Sequence, residues 1–161
     1  MRWSVGFEDL AVGDGFVTPD RTVTEADVKG FAALTGDWHP QHMNEAWAAE
    51  SPFGERIAHG MLVMSMAVGL VPFDPERLMA LRRISDVVFK RPLRLGETIT
   101  VDGTITALRE IDDGTGLVAW DWKVRNQEGR LVCRATVEVL WRRARPYEYE
   151  TWSLLGEGVL P

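Results

Sequence analysis

The stretch Ala58-His59-Gly60-Met61-Leu62-Val63-Met64-Ser65-Met66-Ala67-Val68-Gly69-Leu70-Val71 decides the fold. Its methionines, valines and leucines leave no polar face on a helical projection, which predicts a helix from about Ala58 to Val71 enclosed by protein on all sides. The apolar run from Gly60 to Phe73 is shorter than the roughly 20 residues a bilayer crossing needs, so burial in a domain core is the expectation.

Beyond Pro72 and Pro75 the hydrophobic period changes to two. Ile99, Val101, Ile105 and Ala107 alternate with threonines, Val118 to Val124 alternate with charged or small residues, and Cys133 to Trp141 do the same. These are three half-buried strands. Asn126-Gln127-Glu128-Gly129 joins the last two as a hairpin, and Asp112-Asp113-Gly114-Thr115-Gly116 makes the preceding turn. The alternation runs unbroken through Asp102-Gly103, which keeps the first of them as one long strand. A further strand is expected at Ile84 to Lys90, ended by Pro92.

Upstream of the apolar helix, a strand is expected from Phe16 to Val23. Thr24-Glu25-Ala26-Asp27 has the form of a capping box, and a helix with Val28, Phe31, Ala32 and Leu34 on its apolar stripe should end at Gly36. Asp37 to Asn44 reads as a rigid loop, because Pro40 keeps His39 out of the helical region. Asn44 then caps a short helix to Ala49. A mostly apolar helix followed by antiparallel strands is an α+β layout in which the sheet wraps the helix. Residues 1–145 are expected to form one domain, with 146–161 a tail packed through Tyr147, Tyr149 and Trp152.

The chain has 161 residues, with 18 Lys+Arg against 24 Asp+Glu and a net charge of −6. The acidic balance argues against general nucleic-acid affinity. One cysteine, Cys133, leaves no intramolecular disulfide to form and fits a reducing, cytoplasmic setting. The sequence turns acidic at Glu8-Asp9, where a signal peptide would enter its apolar stretch, so neither a targeting segment nor a membrane association is expected.

Chemistry concentrates between residues 37 and 61. Asp37, His39 and His42 share one loop, and an imidazole beside a carboxyl can shuttle protons near neutral pH. The same spacing also fits a cap by Asp37 and an ordinary surface histidine at 42. His39, His42, His59 and Asp37 are possible zinc ligands by type, yet HExxH and paired cysteines are both missing, so no metal is expected. Gly60, at the start of a helix, offers an amide that lacks an internal partner and that a carbonyl oxygen can approach closely. Gly60 is equally explained by tight packing.

Together these stretches resemble the MaoC-like dehydratases, a family that includes the R-specific enoyl-CoA hydratases and has the hotdog fold. The family pattern Asp-x-Asn-Pro-x-His is matched by Asp37, Pro40 and His42. His-Gly-Met is matched by His59, Gly60 and Met61, and aromatic-x-x-Pro-x-x-x-Gly-Asp/Glu by Phe89, Pro92, Gly96 and Glu97. One position departs: the family asparagine is His39 here, so the bonds that fix the loop must be made differently or not at all.

The resemblance implies a hotdog domain that hydrates a 2-enoyl-CoA thioester reversibly to a 3-hydroxyacyl-CoA. Asp37 and His42 would act on one water while the Gly60 amide polarises the thioester carbonyl. His39, His59, Trp38 and Met61 would contact the substrate, and coenzyme A enters only as part of the substrate, with no separate cofactor. A homodimer is expected. Arg82, Arg83, Lys90, Arg91 and Arg94 form a basic region that either meets the coenzyme A phosphates or is a solvated charged face, and Trp38 and Trp47 either line an acyl pocket or are core or interface anchors. Two other outcomes remain open on this fold: a non-catalytic subunit that binds acyl thioesters, and a thioesterase.

Overall fold

The computed structural model describes residues 3–144. In chain order, a 3-10 turn at Phe7–Asp9 leads to β1 (Gly15–Val17), β2 (Arg21–Thr22), α1 (Glu25–Thr35), α2 (Pro40–Met43), α3 (Glu45–Ala49), α4 (Gly60–Leu70), β3 (Leu78–Phe89), β4 (Thr98–Glu110), β5 (Thr115–Asn126) and β6 (Leu131–Arg142). The strands form one antiparallel sheet in the order β1-β4-β5-β6-β3, with β2 also on β4. Helix α4 lies against its inner face. This is the sheet-around-helix arrangement of a hotdog domain.

The period-two pattern is what makes that face. Val118, Trp120, Trp122 and Val124 of β5, and Cys133, Ala135, Val137, Val139 and Trp141 of β6, are all buried, and they join Leu62, Val63, Met64 and Ala67 of α4 in one core. Each large aliphatic side chain buried there stabilises the fold by about 1.5–3 kcal/mol relative to leaving it in water. Strand β4 continues through Asp102-Gly103 because Gly103 has no side chain: a Cβ there would stand 2.5 Å from the Phe16 ring that lies across it. At the β5–β6 turn, Asn126 Oδ1 accepts from the amides of Glu128 and Arg130 at 3.1 and 3.0 Å.

Several expectations need correction. The strand expected from Phe16 to Val23 is two short ones, since Pro19 has no amide for the ladder. Across the break, the Thr18 hydroxyl accepts from Val101 N at 2.9 Å. Strand β3 begins at Leu78, six residues before the expected Ile84, and was hidden because register shifts interrupt its pairing with β6 and scramble the period. Asp86, at one of these irregularities, has φ +52°.

The loop at 37–44 contains α2, which Pro40 opens at the one helical position where a missing amide costs nothing. Among the described residues, helix α4 is not enclosed on all sides. Met61, Ser65 and Val68 form a stripe exposed to solvent, because a single curved sheet covers only the opposite face. The capping box of α1 is present in both directions, Thr24 Oγ1 accepting from Asp27 N and Asp27 Oδ2 from Thr24 N, and the helix ends at Gly36 with φ +79°. The expected tail at 146–161 lies outside the described residues. Among the described residues no helix is long and apolar enough to cross a membrane.

Candidate active site

A cavity of about 530 Å³ opens where the loop after α1, the start of α4 and the end of β3 converge, and Asp37, His42, His59 and Gly60 all border it. Helix α1 delivers Asp37 one residue past its glycine cap, and α2 carries His42. His59 is the N-cap of α4, and Gly60 is its first residue.

Two backbone carbonyls fix the two imidazoles. His42 Nδ1 lies 2.7 Å from Ile57 O, and a carbonyl only accepts, so Nδ1 carries the proton and Nε2 is left as a free acceptor. His59 Nε2 donates to Asp37 O at 3.0 Å, and its Nδ1 is, among the described residues, buried without a partner. The two rings stack with centroids 3.9 Å apart. His42 titrates below the ordinary histidine value: burial disfavours its cation, His59 and His39 add repulsion, and the Ile57 bond and the Asp37 charge restore only part. His42 is therefore neutral at pH 7 and able to accept a proton.

Asp37, by contrast, is exposed. Its Oδ1 accepts from the His39 amide at 3.3 Å, an Asx-type turn that orients the carboxyl. His39 is not in the cavity wall. Its Nδ1 accepts from Gln41 N at 3.2 Å and so caps α2, the task an asparagine side chain would perform at that position.

One ligand-type atom each from Asp37, His42 and His59 lies within 4.8 Å of the other two. The three groups therefore converge on a space that one small bound species can share.

At Gly60 the packing and chemical readings meet. A Cβ there would stand 2.9 Å from Cε1 and Cζ of the Phe89 ring, so any side chain at this position must displace that ring. The Gly60 amide is in the first turn of α4 and donates no hydrogen bond among the described residues.

The substrate contacts expected from sequence divide. His59 and Met61 border the cavity, whereas His39 and Trp38 do not: His39 is turned to the helix cap, and Trp38 is 56 % exposed. Trp47 is likewise outside the cavity, with its ring edge-on to His39 at 5.3 Å. The basic region also separates. Arg82 and Arg83 pair with Glu138 and Arg94 with Glu55, while Lys90 and Arg91 reach the cavity. Sequence reasoning did not single out Phe31, Phe53, Gln41 or Val132 as lining residues. They come from separate elements, and only the folded chain brings them together.

The model of the MaoC-like domain matches residues 9–125, well over half of the chain. The chain belongs to the MaoC-like domain family. Protein MaoC of Klebsiella aerogenes is 43% identical over 96 residues, 59% of this chain and 29% of that protein, so the chain spans under a third of that relative's length. The (R)-specific enoyl-CoA hydratase of Rhodospirillum rubrum is 34% identical over 102 residues, 63% of this chain and 70% of the hydratase. Among solved structures, a monoamine oxidase regulatory protein from Archaeoglobus superposes with a TM-score of 0.81 at 36% identity, covering 86% of this chain and 95% of its own. The departure of His39 from the family asparagine thus falls inside a recognised MaoC-like loop and keeps its capping function by another atom.

Proposed function

We propose that this MaoC-like protein is a hydratase/dehydratase that adds water reversibly to a 2-enoyl-CoA thioester, giving a 3-hydroxyacyl-CoA. The observation that carries the reading is the fixed tautomer of His42, whose free Nε2 belongs to a cavity also bordered by Asp37 and the uncommitted Gly60 amide. Names of relatives support it, since one of them is an (R)-specific enoyl-CoA hydratase.

In the hydration direction a water held between Asp37 and His42 attacks the β-carbon. The new bond is O–Cβ, and the bond that breaks is O–H, whose proton passes to His42 Nε2. Electron density moves to the thioester oxygen, where the Gly60 amide and the positive end of α4 stabilise it. Collapse of that enolate takes one proton at the α-carbon from the Asp37/His42 pair, which returns the pair to its starting protonation. Proton and electron counts close with no further group, and turnover is expected to survive dialysis against EDTA. Lys90 and Arg91 at the cavity would meet phosphates of coenzyme A.

A homodimer is part of this reading. Strand β3 is a twelve-residue sheet edge, and Met79, Leu81, Val87 and Phe89 on it are exposed, as is the Met61–Val68 stripe of α4. Such an edge needs covering. A second copy would cover it, and sedimentation as a monomer at micromolar concentration would count against this.

The deciding experiment is product analysis over a panel of 2-enoyl-CoA thioesters. Formation of 3-hydroxyacyl-CoA supports the reading. Release of free coenzyme A would make the protein a thioesterase, and tight binding with no product would make it a binding subunit.

A further inference from the structure

We propose that Arg56 is a positioning residue for this reaction, a guanidinium clamp that ties α1 to α2 and thereby holds the His42 imidazole in its proton-accepting tautomer. The inference rests on the proposed role of His42 and adds a residue that no motif of the sequence marks.

The difficulty that Arg56 resolves is the size of α2. Four residues form about one helical turn, which has no stability of its own, so the position of His42 must come from outside the helix. The outside support comes from two adjacent residues. Arg56 Nε donates to the His42 carbonyl at 2.7 Å, at the end of α2 where carbonyls lack internal partners and a cation is favoured. Ile57 O accepts from the His42 ring at 2.7 Å, and Ile57 N donates to Gln41 O at 3.4 Å. The segment 56–57 thus grips residues 41–42 by two carbonyls and the ring. Its far end is anchored too, because Arg56 Nη1 donates to Glu25 Oε1 at 2.8 Å in the first turn of α1.

Arg56 does not border the cavity that holds Asp37 and His42, so it acts through His42 and not on the substrate. It is also a poor choice for stability alone. The side chain is only 15% exposed, and its Nη2 is buried with no hydrogen-bond partner among the described residues. Replacing this guanidinium by an apolar side chain removes its desolvation cost together with its bonds, and Glu25, released from it, is exposed to water and leaves no buried charge behind.

The two roles separate in Arg56→Met. As a clamp, its loss lowers kcat by about 10- to 100-fold, the worth of one charge-assisted hydrogen bond expressed as a rate, while KM and the melting temperature stay near their original values. Arg56→Ala opens a space beside the surface cavity bordered by Thr24, Glu25 and Arg56, and millimolar guanidinium should restore part of kcat in that variant but not in Arg56→Met. Unchanged kcat in Arg56→Met overturns the proposal, and so does a loss of activity that tracks a loss of melting temperature and is not rescued.

A measurement independent of turnover keeps the proposal separate from the reading of the reaction. Nitrogen NMR of the His42 ring should show one Nδ1–H tautomer in the unmodified protein and a mixture in Arg56→Met. The same tautomer in both overturns the clamp even if the protein hydrates no thioester.

Discussion

Gly60→Ala tests the packing and the chemical reading of α4 in one substitution. The new methyl would stand 2.9, 2.9 and 3.1 Å from three atoms of the Phe89 ring, where ordinary contact begins at 3.4 Å, so the ring has to recede by about 0.5 Å. Phe89 is at the end of an edge strand and 48% exposed, and its ring is the far end of the side chain. The cost belongs at the low end of the roughly 1–3 kcal/mol of an overpacked site. Removing a helical glycine returns about 0.5–1 kcal/mol. The net is a destabilisation of about 1 kcal/mol or less, a shift of no more than about 4 °C for a domain of this size.

The effect on turnover should be far larger. The methyl stands beside the amide assigned to the developing oxyanion, and loss of one such donor typically costs about 10²–10³ in kcat. Thermal unfolding and steady-state kinetics on the same preparation measure both effects. Adding Phe89→Leu should recover the small loss of melting temperature without recovering the rate. A Gly60→Ala protein with full kcat/KM would refute the oxyanion role, and one that loses more than about 10 °C would show that packing alone explains the glycine.

Asp37→Asn and His42→Ala should each lower kcat by about 10²–10⁴-fold with small changes in thioester binding, and the double variant should be little worse than either. Full activity in either single variant ends the mechanism. Because the folded-state pKa of His42 is below its ordinary 6.5, the unfolded chain binds more protons in the interval between them. The His42 contribution to stability is therefore complete above about 6.5 and is lost as pH falls through the lower, folded value. The acid limb of kcat/KM should fall at that lower pH, and His42→Ala should abolish this part of the pH dependence of melting. His39→Asn should keep near-normal activity because an asparagine oxygen also caps α2, whereas His39→Ala should lose about 1 kcal/mol of cap and a share of kcat.

The fold was legible where one physical signal dominates. A period of two in β4, β5 and β6 left no other element to propose, and the Thr24–Asp27 pair marked the start of α1 to the residue. Strand β3 was half-hidden for the opposite reason. It sits at a sheet edge with bulges, so its side chains have no steady inside and outside, and Arg82 and Arg83 in its middle read as a charged face. The apolar girth of α4 was read as full enclosure, but periodicity reports only that a surface is unsuited to water. It does not say whether the same chain or a second copy covers it, and the exposed Met61–Val68 stripe is consistent with the latter.

In the site, the sequence carries the identity of the groups proposed to react and none of their protonation. Asp37, His42 and Gly60 stand in recognisable local patterns, since each must occupy a particular step of a loop or helix start. What leaves the His42 Nε2 as an acceptor is a carbonyl fifteen residues away, beside a stacked ring seventeen residues away, and neither follows from any spacing rule. The same holds for His39. By pattern the histidine leaves open how the loop is fixed, and in the fold its Nδ1 accepts the Gln41 amide as an asparagine oxygen would. The substitution changes the capping atom from an amide oxygen to an imidazole nitrogen, which accepts only in the tautomer that leaves Nδ1 bare. Acid pH acts on this loop at the proton-accepting nitrogen of His42, whose cation burial disfavours, while the His39 cap holds the helix that carries it.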